Sequence, residues 1–443
     1  MNSLDAHIKK PNTVNNPSTE QNTLENVLIL QGGGSLGAFG CGVYKALVKN
    51  NINLDIIAGT SIGGINAAII AGSKREEHRD QLLEDFWMEL SEGFVDMDNL
   101  SLFSTWNKFM EQIQPFSKYP YYYPHLPPLS APGERGIKEN HSSGKDKQEV
   151  KTKQLKSFYS SAIFGNSKMF KPRWLTEYAL TDPEYFNSHK WTFLYDHLPI
   201  AKTLERYVDY DKLRPTNGIP NVRLILTAVN VLNARPLTFD SFKEQITTKH
   251  ILATSAYPLY NFRWIEVKDG VYAWDGSLLS NTPLREVIAA SPIRDKRICI
   301  VENYPKNIDN LPKNLPEVYH RARDIMFSDK TEYNVRMSKV ISRYLSYIEE
   351  LYQIVENNID KLQIDEKQLK RIRQKYNIYK QEHGAEIKEI YYVKRDEPFP
   401  HIYENADFSP ETIKNSIKEG EEKTNEIIKK IKNGKMSKSA ISH

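Results

Sequence analysis

The chain is 443 residues long, 40% hydrophobic and 26% charged, with a formal net charge of +4. This composition allows a sizeable core and one large or two to three ordinary domains. So small a charge, with no nucleic-acid-binding signature, argues against a nucleic-acid partner.

The two cysteines lie in apolar contexts, "GAFGCGVYKAL" for Cys41 and "KRICIVENY" for Cys299. They point to buried thiols in a reducing cytoplasm, not to a disulfide scaffold. Residues 1–25 are polar, lack the apolar core of a signal peptide and are expected to form a disordered tail. From Val27 the pattern turns to strand, glycine turn and helix: "VLIL", "QGGGSLG", "AFGCGVYKALVKNN". A second unit follows at once with "DIIAG", "TSIGG" and "INAAIIAG". Continuous apolar strands alternating with helices predict an α/β fold with a mainly parallel sheet covered on both faces. Residues 104–172 change character. "PFSKYPYYYPHLPPLSAPGERG" is rich in proline and tyrosine, and "KENHSSGKDKQEVKTKQ" is charged. This reads as an inserted cap, disordered over 133–155, whose tyrosines suit an acyl pocket or a lipid surface.

Further strands are expected at "NVRLILTAVNVLN" and "RICIVENY". From about 317 to 383 the chain becomes helical and charged. Ile341, Tyr344, Leu345, Ile348, Leu351, Tyr352 and Val355 recur at three- and four-residue steps. That stripe predicts a helical pair packed on the preceding domain, with a homodimer through these helices as the alternative. "EIKEIYYVKRDE" reads as a late strand, and "SPETIKNSIKEGEEKTNEIIKKIKNG" as a helix capped by Ser409 with Pro410 in its first position. No run of about eighteen apolar residues offers a membrane span, so any membrane contact is expected to be peripheral.

Two glycine turns carry the chemistry. Gly59-Thr60-Ser61-Ile62-Gly63 follows one strand and opens a helix, a context that holds a serine hydroxyl clear of the sheet in strained backbone. The helix N-terminus favours negative charge developing beside it. The earlier turn, Gly32-Gly33-Gly34-Ser35-Leu36-Gly37, also fits the dinucleotide spacing. That reading needs an acidic residue ending the second strand, whereas Asp55 precedes it, and it leaves Ser61 unexplained. An oxyanion hole of bare glycine N–H groups explains both turns. A nucleophilic serine needs a base. His197, His250, His320 and His383 lie in helical contexts and none stands on a recognisable catalytic turn. Asp275 does: "VYAWDGSLLSNTPLREVI" sets it after an aromatic strand on an Asp-Gly turn, suited to accept the serine proton directly.

Taken in order, G-G-G-x-x-G at 32–37, G-x-S-x-G at 59–63 and D-G-S at 275–277 resemble the patatin-like phospholipase family, in its bacterial branch. "LTAVNVLNARPLTFDS", "ILATSAYPLY" and "ADFSPETIKNSIKEG" extend the resemblance over nearly the whole chain. The resemblance implies a three-layer α/β/α hydrolase, with a catalytic domain over 26–316 and a mainly helical C-terminal extension over 317–443. It also implies Ser61 as nucleophile and Asp275 as general base. The N–H groups of Gly32, Gly33, Gly34 and Gly37, with that of Ile62, would form the oxyanion hole, and Gly59 and Gly63 would shape the nucleophile turn. Lipid acyl esters are the implied substrates, with no metal or organic cofactor. Two positions depart from the pattern: Ser277 stands where glycine or alanine is usual, and Leu36 where many members carry arginine. The competing expectation is a lipid-binding or scaffold protein that kept the fold without turnover.

Overall fold

The structure, a computed structural model, describes residues 24–95, 157, 159–215, 222–290, 294–328, 331–382, 387–396 and 404–433. The expected N-terminal tail up to residue 23, and residues 104–156 of the expected 104–172 insertion, lie outside the described residues.

The fold grows from strand β1 (Glu25–Leu30), helix α1 (Ala38–Lys49), strand β2 (Ile56–Gly59) and helices α2 (Ile62–Ala71) and α3 (Arg79–Glu92). Helix α4 (Leu198–Tyr207), strands β3 (Arg223–Asn230) and β4 (Pro236–Asp240), and the short helix α5 (Thr248–Thr254) follow. Next come β5 (Ile265–Lys268), β6 (Val271–Asp275), α6 (Leu284–Ile288) and β7 (Lys296–Glu302). The remainder contributes α7 (Leu315–Phe327), α8 (Thr331–Asn357), α9 (Glu366–Glu382), β8 (Ile387–Lys394) and α10 (Pro410–Lys432).

These eight strands join one sheet in the order β8-β7-β1-β2-β3-β6-β5, with β4 pairing antiparallel to β3 off that path; a separate two-stranded pair joins Lys171–Pro172 to Tyr195–Asp196. The β8, β7, β1, β2 and β3 pairings are parallel, and β6 and β5 close the far side antiparallel. The near-continuous apolar strands have the expected cause, because alternate residues enter two separate cores. Leu28, Leu30, Ile57, Leu224 and Leu226 pack with α1, α2 and α3 on one face. Val27, Ile29, Ile56, Ala58, Ile298 and Ile300 pack with Leu284 and Val287 of α6 and Val335 of α8 on the other.

The described residues of 317–433 are not a detached appendage. The late strand β8 lies beside β7 in parallel register. Helix α10 crosses α1 so closely that a Cβ on Gly42 would collide with Ile417 O, and one on Gly420 with Phe39 O. Pro410 opens α10 and Ser409 precedes it, but the Ser409 hydroxyl bonds Thr412 Oγ1 at 3.1 Å and does not cap the backbone. The apolar stripe of α8 is only half covered: Tyr344 is 67% and Leu351 44% exposed. Its partner along the hairpin is α9, through stacked Tyr352 and Tyr376 and an ion pair of Glu356 with Arg373 at 2.8 Å. Among the described residues, no helix is long and apolar enough to cross a membrane.

Candidate active site

Strand β3 is the ruler of the site. Its Leu226 pairs with Gly59 of β2, and two residues later its Ala228 pairs with Asp275 of β6. The serine turn and the aspartate, remote in the chain, therefore leave the sheet at one end. Asp55 sits at the opposite end of β2, where its carboxylate accepts from Asn26 N at 2.7 Å. That position is wrong for a nucleotide ribose.

Ser61 adopts φ 57°, ψ −132°, a left-handed conformation that a residue with a Cβ enters only under constraint. Its N–H donates to Thr254 O at 2.9 Å, and α2 begins at the next residue. The turn is clamped against the end of β1: a Cβ on Gly63 would collide with Leu30 O, and one on Gly59 with Gly63 O. Beneath it, Thr60 and Thr227 share a hydrogen bond of 2.7 Å, and Thr254 Oγ1 donates to Thr227 O at 2.7 Å.

Asp275 is fully buried. Its Oδ1 accepts from Ser277 N and Ser277 Oγ, each at 2.8 Å, so the serine at position 277 orients the carboxylate. Its Oδ2 has no closed hydrogen bond, although the Ser61 hydroxyl is near enough to pull the carboxyl pKa down. The approach is loose, as is common for such pairs without substrate. Burial outweighs these hydrogen bonds and pushes the carboxyl up to about 6.

The first glycine turn lies against the second. A Cβ on Gly32 would lie 2.8 Å from Ser61 Cβ. Gly33 and Gly34 take φ 151° and 59°. The Gly32 N–H is already engaged, donating to Asn281 Oδ1 at 2.9 Å. Gly37 is a packing post: a Cβ there would lie 2.8 Å from Ile62 Cγ1, and its carbonyl accepts from Asn66 Nδ2 at 2.8 Å. Among the described residues, no acceptor is paired with the N–H groups of Gly33, Gly34 or Ile62. Leu36 joins an apolar cluster beside this turn with Tyr257, Tyr304 and Phe327.

Of the four histidines weighed in the sequence, three are occupied elsewhere. His250 stacks on Phe239 at 4.3 Å and its Nδ1 accepts from Thr247 N, while burial pushes its pKa down to about 4. His197 Nε2 contacts Leu252 O at 3.0 Å, and burial lowers its pKa too. His383 lies outside the described residues. His320, Asp324 and Glu404 converge within 4.8 Å, a spacing that would suit a cation. The Arg323 guanidinium supplies it, lying 2.9 Å from His320 Nε2 and 2.8 Å from both carboxylates.

Three asparagines behind the glycine turn, Asn281, Asn303 and Asn405, escaped the sequence reading. Neither spacing nor residue type marks Asn303 or Asn405.

A patatin-like phospholipase family model matches residues 28–288. A triacylglycerol lipase of Arabidopsis thaliana, SDP1L, is 36% identical over 85 residues, 19% of this chain and 10% of that protein. Among solved structures, VipD from Legionella pneumophila is similar over 92% of this chain and 67% of its own, at 14% identity and a TM-score of 0.34. The type III effector ExoU is similar over 92% of this chain and 53% of its own, at 11% identity and a TM-score of 0.26. The chain thus spans a tenth of the lipase and about half to two-thirds of these two solved chains. With the family model covering more than half of its length, the chain belongs to the patatin-like phospholipase family.

Proposed function

We propose that this protein is a serine hydrolase of lipid acyl esters, of phospholipase A or lysophospholipase type, working through a Ser61–Asp275 dyad. The observation that carries the reading is the pairing of a strained, half-exposed serine with a buried carboxylate whose Oδ2 is uncommitted. As Ser61 Oγ attacks the ester carbonyl, its proton passes to Asp275 Oδ2. The N–H groups of Gly33, Gly34 and Ile62 hold the tetrahedral oxyanion, each such donor lowering the barrier by about 3 kcal/mol. Collapse expels the alcohol, which takes the proton from Asp275 and leaves acyl-Ser61. Water then attacks, Asp275 accepts its proton, and release of the fatty acid returns that proton to Ser61.

Substrate entry from a lipid surface fits the rim. Leu278 and Leu279, immediately after the Asp275 turn, are 37% and 55% exposed, and Ile325 and Met326 stand exposed beside Phe327. The test is a lipidomic assay of purified protein against mixed phospholipid and neutral-lipid vesicles, with Ser61→Ala as control. Fatty acid release confined to the wild type is expected. Equal product profiles from both proteins would overturn the reading, and near-normal turnover by Asp275→Asn would remove the dyad.

A further inference from the structure

A trans peptide points its C=O and N–H in opposite directions, so whatever grips a carbonyl also aims the amide of the next residue. In the glycine turn two side-chain amides grip two successive carbonyls. Asn303 Nδ2 donates to Gly32 O at 3.1 Å, and Asn405 Nδ2 donates to Gly33 O at 3.1 Å. The partnered peptides carry the N–H groups of Gly33 and Gly34. Asn303 directly follows β7. Asn405 comes from the segment just before α10.

The carboxamide of Asn405 is held at both ends. Its Oδ1 accepts from the Arg323 guanidinium, and its Nδ2 also donates to Tyr304 Oη at 2.7 Å. Arg323 is itself buried and fixed by Asp324 and Glu404, and Glu404 also pairs with Arg395 at 3.0 Å. Ser35 Oγ donates to Glu404 O at 2.6 Å, tying the glycine turn to the same segment. Gly34 lies so close that a Cβ would collide with Asn405 O. A buried line of donors thus runs from a cation through Asn405 to the Gly33 carbonyl. Such a line polarises the Gly33–Gly34 peptide and strengthens its N–H as a donor.

We infer that Asn405 is a positioning residue for the reaction. It holds the Gly34 N–H on the Ser61 side of the turn, so that residues 404–405 complete the oxyanion hole from the C-terminal part of the chain. This rests on the hydrolase reading above. Asn405→Asp keeps the shape and the pairing with Arg323 but turns the donor at Gly33 O into an acceptor. Asn405→Ala removes the grip with less strain, in case the aspartate hinders folding.

The experiment uses the full chain and a soluble p-nitrophenyl ester. Active serines are counted by end-point fluorophosphonate labelling, and kcat is expressed per labelled site. Both variants are expected to lose about 10- to 100-fold in kcat, with KM within about threefold, because the contact acts on the transition state. A merely structural role would lower the number of labelled sites and leave the rate per site unchanged, which would overturn the inference. So would per-site kcat within about threefold of a Ser61-dependent wild type. Hydrolysis equal in wild type and Ser61→Ala would instead sink the hydrolase reading, and this inference with it.

Discussion

Replacing Asp275 by asparagine is expected to stabilise the protein while silencing it. The fully buried carboxyl rises from the ordinary aspartate value of 3.8 to about 6, chiefly through burial. Its folded-state pKa is therefore raised, so the stability it contributes is present below the unfolded value and lost as pH climbs through about 6. At about 1.4 kcal/mol per tenfold change, holding it ionised at pH 7 costs about 3 kcal/mol. Asparagine keeps an oxygen where Oδ1 accepts from Ser277 N and Oγ. Its amide replaces the uncommitted Oδ2 and offsets about 1–2 kcal/mol of the gain by burying a poorly paired donor. A net gain of about 1–2 kcal/mol remains, a rise of about 1–2 °C in Tm for a chain of this size. Thermal unfolding of both proteins at pH 7 and pH 4 is the assay. At pH 4, where the folded-state aspartate is itself neutral, the gap should close and reverse slightly in favour of the wild type, because the poorly paired amide remains. A less stable variant at pH 7, or a gap unchanged at pH 4, would refute the claim that the ionised carboxylate is held under desolvation strain.

In the proposed mechanism the same carboxyl sets the pH–rate profile. A base must be ionised, so kcat/KM on a soluble ester should rise through a midpoint near pH 6 and level off above it, and a midpoint below pH 5 would contradict the burial of Asp275. Gly42→Ala should lower stability by about 1–3 kcal/mol in urea unfolding, since its methyl group meets Ile417 O and forces α1 and α10 apart. An unchanged midpoint would mean that the helices cross less closely than described. Trp87→Phe leaves Asn66 Oδ1 without its 3.0 Å donor in a fully buried site, for a loss of about 1–3 kcal/mol. Because Asn66 also holds the Gly37 carbonyl, ester turnover should fall with it.

The parallel core was legible because its cause is local: β1 and β2 are buried on both faces and each runs straight into a glycine turn. The two turns and Asp275 could be picked out for the same reason, since backbone constraint restricts which residues fit there. The division of labour inside the glycine turn was not legible. Gly32 and Gly37 look like Gly33 and Gly34 in the sequence, yet Asn281 takes the amide of the first, and Ile62 with Trp87 fills the space over the last. Asn405 follows the serine turn by several hundred residues, and a lone asparagine in a polar stretch has no periodicity to betray its contact. The half-covered stripe of α8 shows the converse limit: spacing predicts a helix face without saying what meets it.

The interleaving of early and late strands has a consequence in time. Strand β1 must wait for β7, more than two hundred residues later, before its second edge is paired, and α1 waits longer still for α10. Contacts of such separation form late and slowly. During synthesis the first glycine turn leaves the ribosome long before Asn303 and Asn405, whose side chains grip its carbonyls, have been made.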